Sequence, residues 1–155
     1  MSISFLFFMF NTFLSGHEGE FVVRLLFCLL GGLVIGIERE AKGKNAGIST
    51  HSLVIGGSML FTLISIYLAP NDPARIAAQV VTGVGFLGAG IILKNDEGKV
   101  TNLTTAASIW FSAAIGMAIG VGWDFIALIA IVYAALVPRI PNFGKKLDPL
   151  HKEKD

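Results

Sequence analysis

Five apolar runs, separated by short polar segments, divide most of the chain. They cover residues 21–37, 48–69, 76–93, 103–121 and 125–137. A helix needs roughly 17 to 25 apolar residues to cross the hydrocarbon core of a bilayer. The first four runs reach that length, whereas the fifth is shorter, and Trp123 and Pro138 at its edges extend it toward that length. The pattern predicts an all-α, polytopic membrane protein with about five transmembrane helices.

Composition supports this interpretation and excludes several functions. Hydrophobic residues make up 54% of the chain and charged residues 15%, with a mean hydropathy of +0.71, whereas soluble domains carry roughly a quarter charged residues. The lipid bilayer is therefore the first partner predicted. The net charge of +1 gives no reason to expect nucleic-acid binding. Cys28 is the single cysteine, which excludes a CxxC motif and predicts a buried packing residue. No catalytic motif is present, so we expect no enzyme.

Positive charges predict the orientation, because short cytoplasmic loops are enriched in lysine and arginine. With the N-terminus outside, ten of the twelve lysines and arginines face the cytoplasm, and only Arg24 and Arg75 do not. The predicted topology is therefore N-out and C-in. Residues 139–155 form a basic cytoplasmic tail, and we expect Arg24 to reach the membrane interface. Residues 1–20 are predicted to be an apolar, interfacial N-terminal segment, with a sixth span in the first 14 residues as the alternative.

Small residues recur within three of the runs. In lipid, helices associate closely where small residues let their backbones approach each other. The stretch VTGVGFLGAG also spells the dinucleotide-binding pattern GxGxxG, but it lies inside an apolar run with no strand before it. We interpret the glycines as packing residues, expect the third helix to be central, and regard a homodimer through a glycine face as plausible. The predicted packing residues are Gly32, Gly36, Gly83, Gly85, Gly88, Ala89, Gly90, Gly116 and Gly120.

Polar residues near the ends of the runs form the candidate site. Ionisable and amide groups in a bilayer are costly unless paired, which makes them candidates for function. Asp72 alternatively caps the third helix, and Glu38 with Arg39 alternatively anchors the first helix at the interface. The hydroxyls of the fourth run either bond backbone carbonyls or form a seam facing Arg75, Gln79 or the glycine helix. The candidates are Glu38, Arg39, Thr50, Asp72, Arg75, Gln79, Thr104, Thr105 and Ser108.

Four blocks in order resemble the MgtC/SapB family of bacterial inner-membrane proteins. They are GLVIGIERE, AGISTHSLV, DPARIAAQVVTGVGFLGAG and NLTTAASIWFSAAIGMAIGVG. The resemblance covers about residues 21–138, the predicted transmembrane domain, and fits a short form without the soluble C-terminal domain of longer members. The family commonly has glycine where this chain has Asn102, so we expect a changed turn before the fourth helix.

The resemblance implies a five-helix domain with a periplasmic N-terminus in the bacterial inner membrane. It also implies a role with Mg²⁺ as a transported or sensed ion, either as a transporter or in magnesium homeostasis. Some members resemble regulators that bind other membrane complexes, including the F-type ATP synthase, and this is the alternative function. Because Mg²⁺ prefers oxygen ligands, a path would use Asp72 and Asp124 at the outer mouth and Glu38 at the inner one. No metal ligand set is assigned.

Overall fold

The computed structural model describes residues 16–94 and 100–140. Within them, five α-helices follow one another in chain order: α1 Glu18–Ala41, α2 Ile48–Leu68, α3 Ala74–Ile91, α4 Leu103–Gly120 and α5 Asp124–Leu136. A 3-10 turn, Val137–Arg139, continues α5. All five runs are confirmed as helices, and so is the all-α fold class. Residues 1–15 of the predicted interfacial segment and nearly all of the predicted basic tail lie outside the described residues. The last three residues of that segment already belong to α1.

Four of the helices, α1 to α4, are long and apolar enough to cross a membrane. The fifth, α5, has 13 residues, which corresponds to about 20 Å of helix against a hydrocarbon core of about 30 Å. As an α-helix, α5 is therefore shorter than the hydrocarbon core. The N-out, C-in orientation stays a prediction.

Alternating helix directions give the bundle two ends. We call the inner end the one where α1 and α3 finish and α2 and α4 begin, and the outer end the opposite one. At the inner end, Gly43 with φ +62° turns the chain after α1. Glu40 then accepts a 2.9 Å hydrogen bond from the backbone N–H of Ile48. This carboxylate satisfies a free N–H at the start of α2 and joins the two helices.

Helix α2 lies between α1 and α4 and has its most extensive contacts with them. A Cβ on Gly32 would lie 2.6 Å from the Cα of Ser52, and one on Gly120 would lie 2.6 Å from the Cβ of Thr62. Gly36 and Gly116 press equally closely on the α2 backbone. The two GxxxG motifs therefore pack α1 against the first turns of α2 and α4 against its later turns, as predicted for packing residues.

The third helix, α3, is peripheral, so the prediction that it is central is wrong. It is the least buried of the four long helices, whereas α4 is the most buried. Its buried side chains, Val80 and Val84, pack against Ile109 and Ala113 of α4. A Cβ on Gly83, Gly85 or Gly90 would meet nothing within 4 Å, Ala89 is exposed, and only Gly88 approaches a neighbour, Ala106. Apart from Gly88, these small residues do not pack against the described helices, because the bulky residues of α3 make the contacts.

A short antiparallel ladder pairs Leu93 with Thr101 and Lys94 with Val100 between α3 and α4. Asn102 follows it with φ +64°, the one positive value among the described non-glycine residues. Asparagine tolerates this left-handed conformation better than most side chains. Its amide also donates to the carbonyl of Ile91 at 3.4 Å. The turn that a glycine would favour is therefore formed here by asparagine.

Arg24 lies within α1 near the outer end and turns into the bundle. Its Nη1 donates to the carbonyls of Ile119 and Gly120, both at 2.6 Å, and its Nη2 pairs with Glu20. The last carbonyls of a helix lack partners within the helix, and a cation there also opposes the negative end of the helix dipole. Arg24 thus caps α4 from a neighbouring helix, which corrects the expectation that it simply reaches the interface.

Candidate functional site

The predicted site residues divide between the two ends of the bundle and do not form one site. The inner end holds Glu38, Arg39, Thr50, Thr104, Thr105 and Ser108. The outer end holds Asp72, Arg75 and Gln79. The hydroxyls of α4 bond elsewhere than to Arg75 and Gln79, because Ser108 donates within α4 and Ser112 bonds His51 of α2.

Glu38 and Arg39, in the last turn of α1, are almost fully buried, with 5% and 2% of their surfaces exposed. Arg39 Nε lies 3.3 Å from Glu38 Oε2. Lys42 Nζ lies 2.6 Å from Glu38 Oε1 and also donates to the carbonyl of Pro138 at 2.6 Å. Burying such charges is expensive, so the simple interface anchor considered from the sequence does not describe them.

The hydrogen-bonding capacity of this pair is largely unused. Nε and Nη1 of Arg39 are buried without a hydrogen-bond partner among the described residues, and neither carboxylate oxygen of Glu38 has one of good geometry. Lys42 is near enough to Glu38 to form an ion pair only. Buried polar atoms without partners are rare in native proteins and call for an explanation beyond stability. They mark this end as the strongest candidate for a site.

His51 and Ser112 extend the site into the bundle. Both are fully buried at 0% exposure, and His51 Nδ1 lies 2.9 Å from Ser112 Oγ in a hydrogen bond between α2 and α4. We call Glu38, Arg39, His51 and Ser112 the inner polar cluster. The sequence places His51 near a helix end and Ser112 in a row of hydroxyls, but the 61 residues between them give no local signal for the pairing.

The other hydroxyls at the inner end have local roles. Ser108 Oγ donates to the carbonyl of Thr105 at 2.9 Å, as the backbone-bonding alternative predicted. Thr105 is buried, whereas Thr104 is exposed and Thr50 is half-buried. Neither Thr104 nor Thr50 forms a side-chain hydrogen bond in the part of the chain that the structure describes. These residues border the inner polar cluster without joining its network.

At the outer end, Asp72, Arg75 and Gln79 are all exposed. The predicted side-chain cap is absent, because α3 begins after Pro73 without a side-chain cap hydrogen bond. Asp72 instead uses its backbone carbonyl, which accepts from the N–H of Arg75 at 3.3 Å. The Arg75 side chain has no hydrogen bond or ion pair among the described residues. This end is therefore open and separate from the inner polar cluster.

No group of three or more His, Cys, Asp or Glu side chains converges as a metal site within residues 16–94 and 100–140. At the inner end, Glu38 is the buried carboxylate, and two cations already contact it. An ion would have to displace Lys42 or Arg39 to use both oxygens. The arrangement suits the binding of a negative or neutral polar group better than that of a bare divalent cation.

The chain is similar to known membrane proteins over most of its length. The sequence model of the MgtC family matches residues 25–144. The chain is 46% identical over 130 residues to the Escherichia coli (strain K12) protein named "Putative magnesium transporter YhiD", a match that covers 78% of this chain and 60% of that protein. It is 44% identical over 112 residues to "Protein MgtC" of Salmonella typhimurium (strain LT2), covering 72% and 48%. The chain thus spans about half to three fifths of these relatives. No solved structure matches it.

Proposed function

Because the chain belongs to the MgtC family, we propose that it is a magnesium-homeostasis protein of the bacterial inner membrane whose functional centre is the inner polar cluster. The magnesium link rests on family membership and on the name of the Escherichia coli relative. The assignment of the functional centre rests on Arg39, a cation that is 2% exposed and retains donors without hydrogen-bond partners among the described residues. Ionisable groups placed in a membrane bundle are functional candidates by default.

We further propose that the protein acts on another membrane component and does not conduct Mg²⁺ itself. The observation that carries this proposal is that the Glu38 carboxylate already contacts Arg39 and Lys42. Two unit charges of like sign 4 Å apart repel by roughly 4 kcal/mol at an effective dielectric constant of 20, and a divalent ion doubles that figure. A Mg²⁺ ion leaving at the inner end would meet this repulsion from Arg39 and Lys42 with one carboxylate to offset it.

The partner in this proposal is an integral membrane complex, for which the F-type ATP synthase implied by the resemblance is the first to test. The exposed small-residue face of α3 formed by Gly85 and Ala89 is one surface free to receive a neighbouring helix or a second copy of this chain. Small residues allow close helix approach in lipid. Copurification from cross-linked membranes with wild-type protein and with Gly85→Leu tests this surface.

Growth at limiting Mg²⁺ tests the functional centre. A strain lacking the gene is supplied with the wild-type protein, with Arg39→Met or with Lys44→Met. Lys44 is the matched control, because it is a cation of the same end that is exposed. We expect the wild type and Lys44→Met to restore growth and Arg39→Met to fail at equal abundance in the membrane. Full growth with Arg39→Met would show that the function does not require the inner polar cluster.

Mg²⁺ transport is the second candidate function. It is favoured by the name of the Escherichia coli relative and by the buried oxygen ligand that Glu38 supplies. If this candidate is correct, purified protein in liposomes carries Mg²⁺ and Glu38→Gln removes the flux. The same preparations therefore separate the two candidates.

A further inference from the structure

Helices α2 and α3 leave a groove open on their shared surface at the side of the bundle. Its volume is about 500 Å³, and its walls are apolar, with Leu53, Phe61, Val84 and Leu87 among them. Gly57 and Gly83 line it without side chains, and a Cβ on either would meet nothing within 4 Å. The groove is open because Gly57 and Gly83 have no side chains to fill it, and it lies alongside the membrane-spanning helices.

The length of the groove matches one leaflet of a bilayer. Along α3 it runs from Ile76 to Leu87, which is about 16 Å at the rise of an α-helix. Half of a hydrocarbon core measures about 15 Å. The groove starts two residues into α3, passes the middle of that helix and ends four residues before Ile91. An acyl chain from one leaflet therefore fits in it, whereas a spanning helix is longer than the groove.

Polar residues lie at and just beyond the outer end of the groove. Gln79 lines the groove one turn from the start of α3. Arg75 lies directly before the first lining residue and is exposed, with no hydrogen bond or ion pair among the described residues. No side chain caps α3, and the positive end of its dipole lies at this end of the helix. Helix starts with these features bind phosphate readily.

We propose that this groove binds one phospholipid from the leaflet at the outer end, with its phosphate at Arg75 and one acyl chain between α2 and α3. Arg75 supplies a bidentate donor for the phosphate, and Gln79 supplies an amide for the ester region. Asp72, three residues before Arg75, is an exposed carboxylate that offsets its charge. The site therefore recognises the phosphodiester that all phospholipids share and does not select for an anionic headgroup.

Photolabelling of the full chain in bilayers tests the site. The probe is a phosphatidylethanolamine with a diazirine at the end of one acyl chain, present in trace amounts, and labelled residues are found by mass spectrometry. We expect the label to concentrate on groove residues such as Val84 and Leu87. Leucine at Gly83 fills the groove and should abolish that label, whereas Gly90→Leu, on the same helix and also in open space but outside the groove, should retain it.

Arg75→Gln provides the second variant, and its exposed position leaves the packing unchanged. Loss of a charge-assisted hydrogen bond should lower groove labelling about tenfold. Equal labelling of Gly83→Leu and Gly90→Leu would overturn the proposal, as would label spread evenly onto lipid-facing side chains of α5 such as Phe125. Groove labelling that is unaffected by Arg75→Gln would overturn the phosphate contact. A protein helix in the groove would exclude the probe from wild type and would also contradict the proposal.

Discussion

The close approach of α4 to α2 at Gly116 predicts a large penalty for a single added methyl group. A Cβ there would lie 2.8 Å from the Cβ of Ser58 and 2.9 Å from the carbonyl carbon of Ile55, with the carbonyl oxygen nearer still. Two of these atoms are backbone and cannot move without shifting α2. Added atoms in a well-packed interior cost about 1 to 3 kcal/mol.

The higher helix propensity of alanine stabilises the protein and so opposes the clash. The control is therefore a Gly→Ala change at a position where no clash occurs. Replacing glycine by alanine within a helix gains about 0.5 to 1 kcal/mol when nothing obstructs the methyl group. Gly116→Ala should therefore lose a net free energy of about 0.5 to 2 kcal/mol, the cost of the clash less the propensity gain. Gly85→Ala, where nothing lies within 4 Å, should be neutral or slightly stabilising.

Thermal unfolding of the purified variants in one detergent measures this difference. We expect a lower Tm for Gly116→Ala than for wild type and a Tm for Gly85→Ala at or above it. If Gly116→Ala unfolds at the same temperature as Gly85→Ala, α4 does not contact α2 through this glycine, and the assignment of α2 to the centre of the bundle is refuted.

Three further substitutions test other contacts with the same unfolding assay. Arg24→Met removes the donors to the Ile119 and Gly120 carbonyls and should cost about 2 to 3 kcal/mol; an unchanged Tm would mean that Arg24 does not cap α4. Asn102→Val forces a β-branched residue to φ +64° and should cost about 1 to 2 kcal/mol, whereas Asn102→Gly should be neutral, and equal Tm values for the two would contradict the left-handed turn. Ser112→Ala leaves His51 Nδ1 buried without its partner and should cost about 1 to 3 kcal/mol. Ser108→Ala, which loses only a bond within its own helix, should cost less, and equal losses would refute the link between α2 and α4.

Hydropathy alone locates the helices, because crossing a bilayer requires a continuous apolar run. The run at residues 76–93, for example, corresponds to α3 at Ala74–Ile91. Hydropathy does not indicate which face of a helix is buried, since lipid is as apolar as the protein interior. Gly32 with Gly36 and Gly83 with Gly90 therefore look alike in the sequence, although only the first pair packs against a neighbour.

The candidate site was predictable only in its local part. Glu38 and Arg39 stand out because charges directly follow an apolar run. The pairing of His51 with Ser112 and the reach of Arg24 to Gly120 depend on how distant helices are arranged. Local spacing in the sequence carries no information about such contacts. It likewise does not determine where Arg75 and Gln79 lie relative to the hydroxyls of α4.

Mg²⁺ flux into liposomes that contain only this protein tests the central claim most directly. A fluorescent Mg²⁺ indicator inside the vesicles compares wild type, Glu38→Gln and empty liposomes. The inner polar cluster holds Glu38 between Arg39 and Lys42, so we predict that wild type and Glu38→Gln admit Mg²⁺ no faster than empty liposomes do. Saturable Mg²⁺ entry with wild type that Glu38→Gln removes would contradict the claim and establish transport.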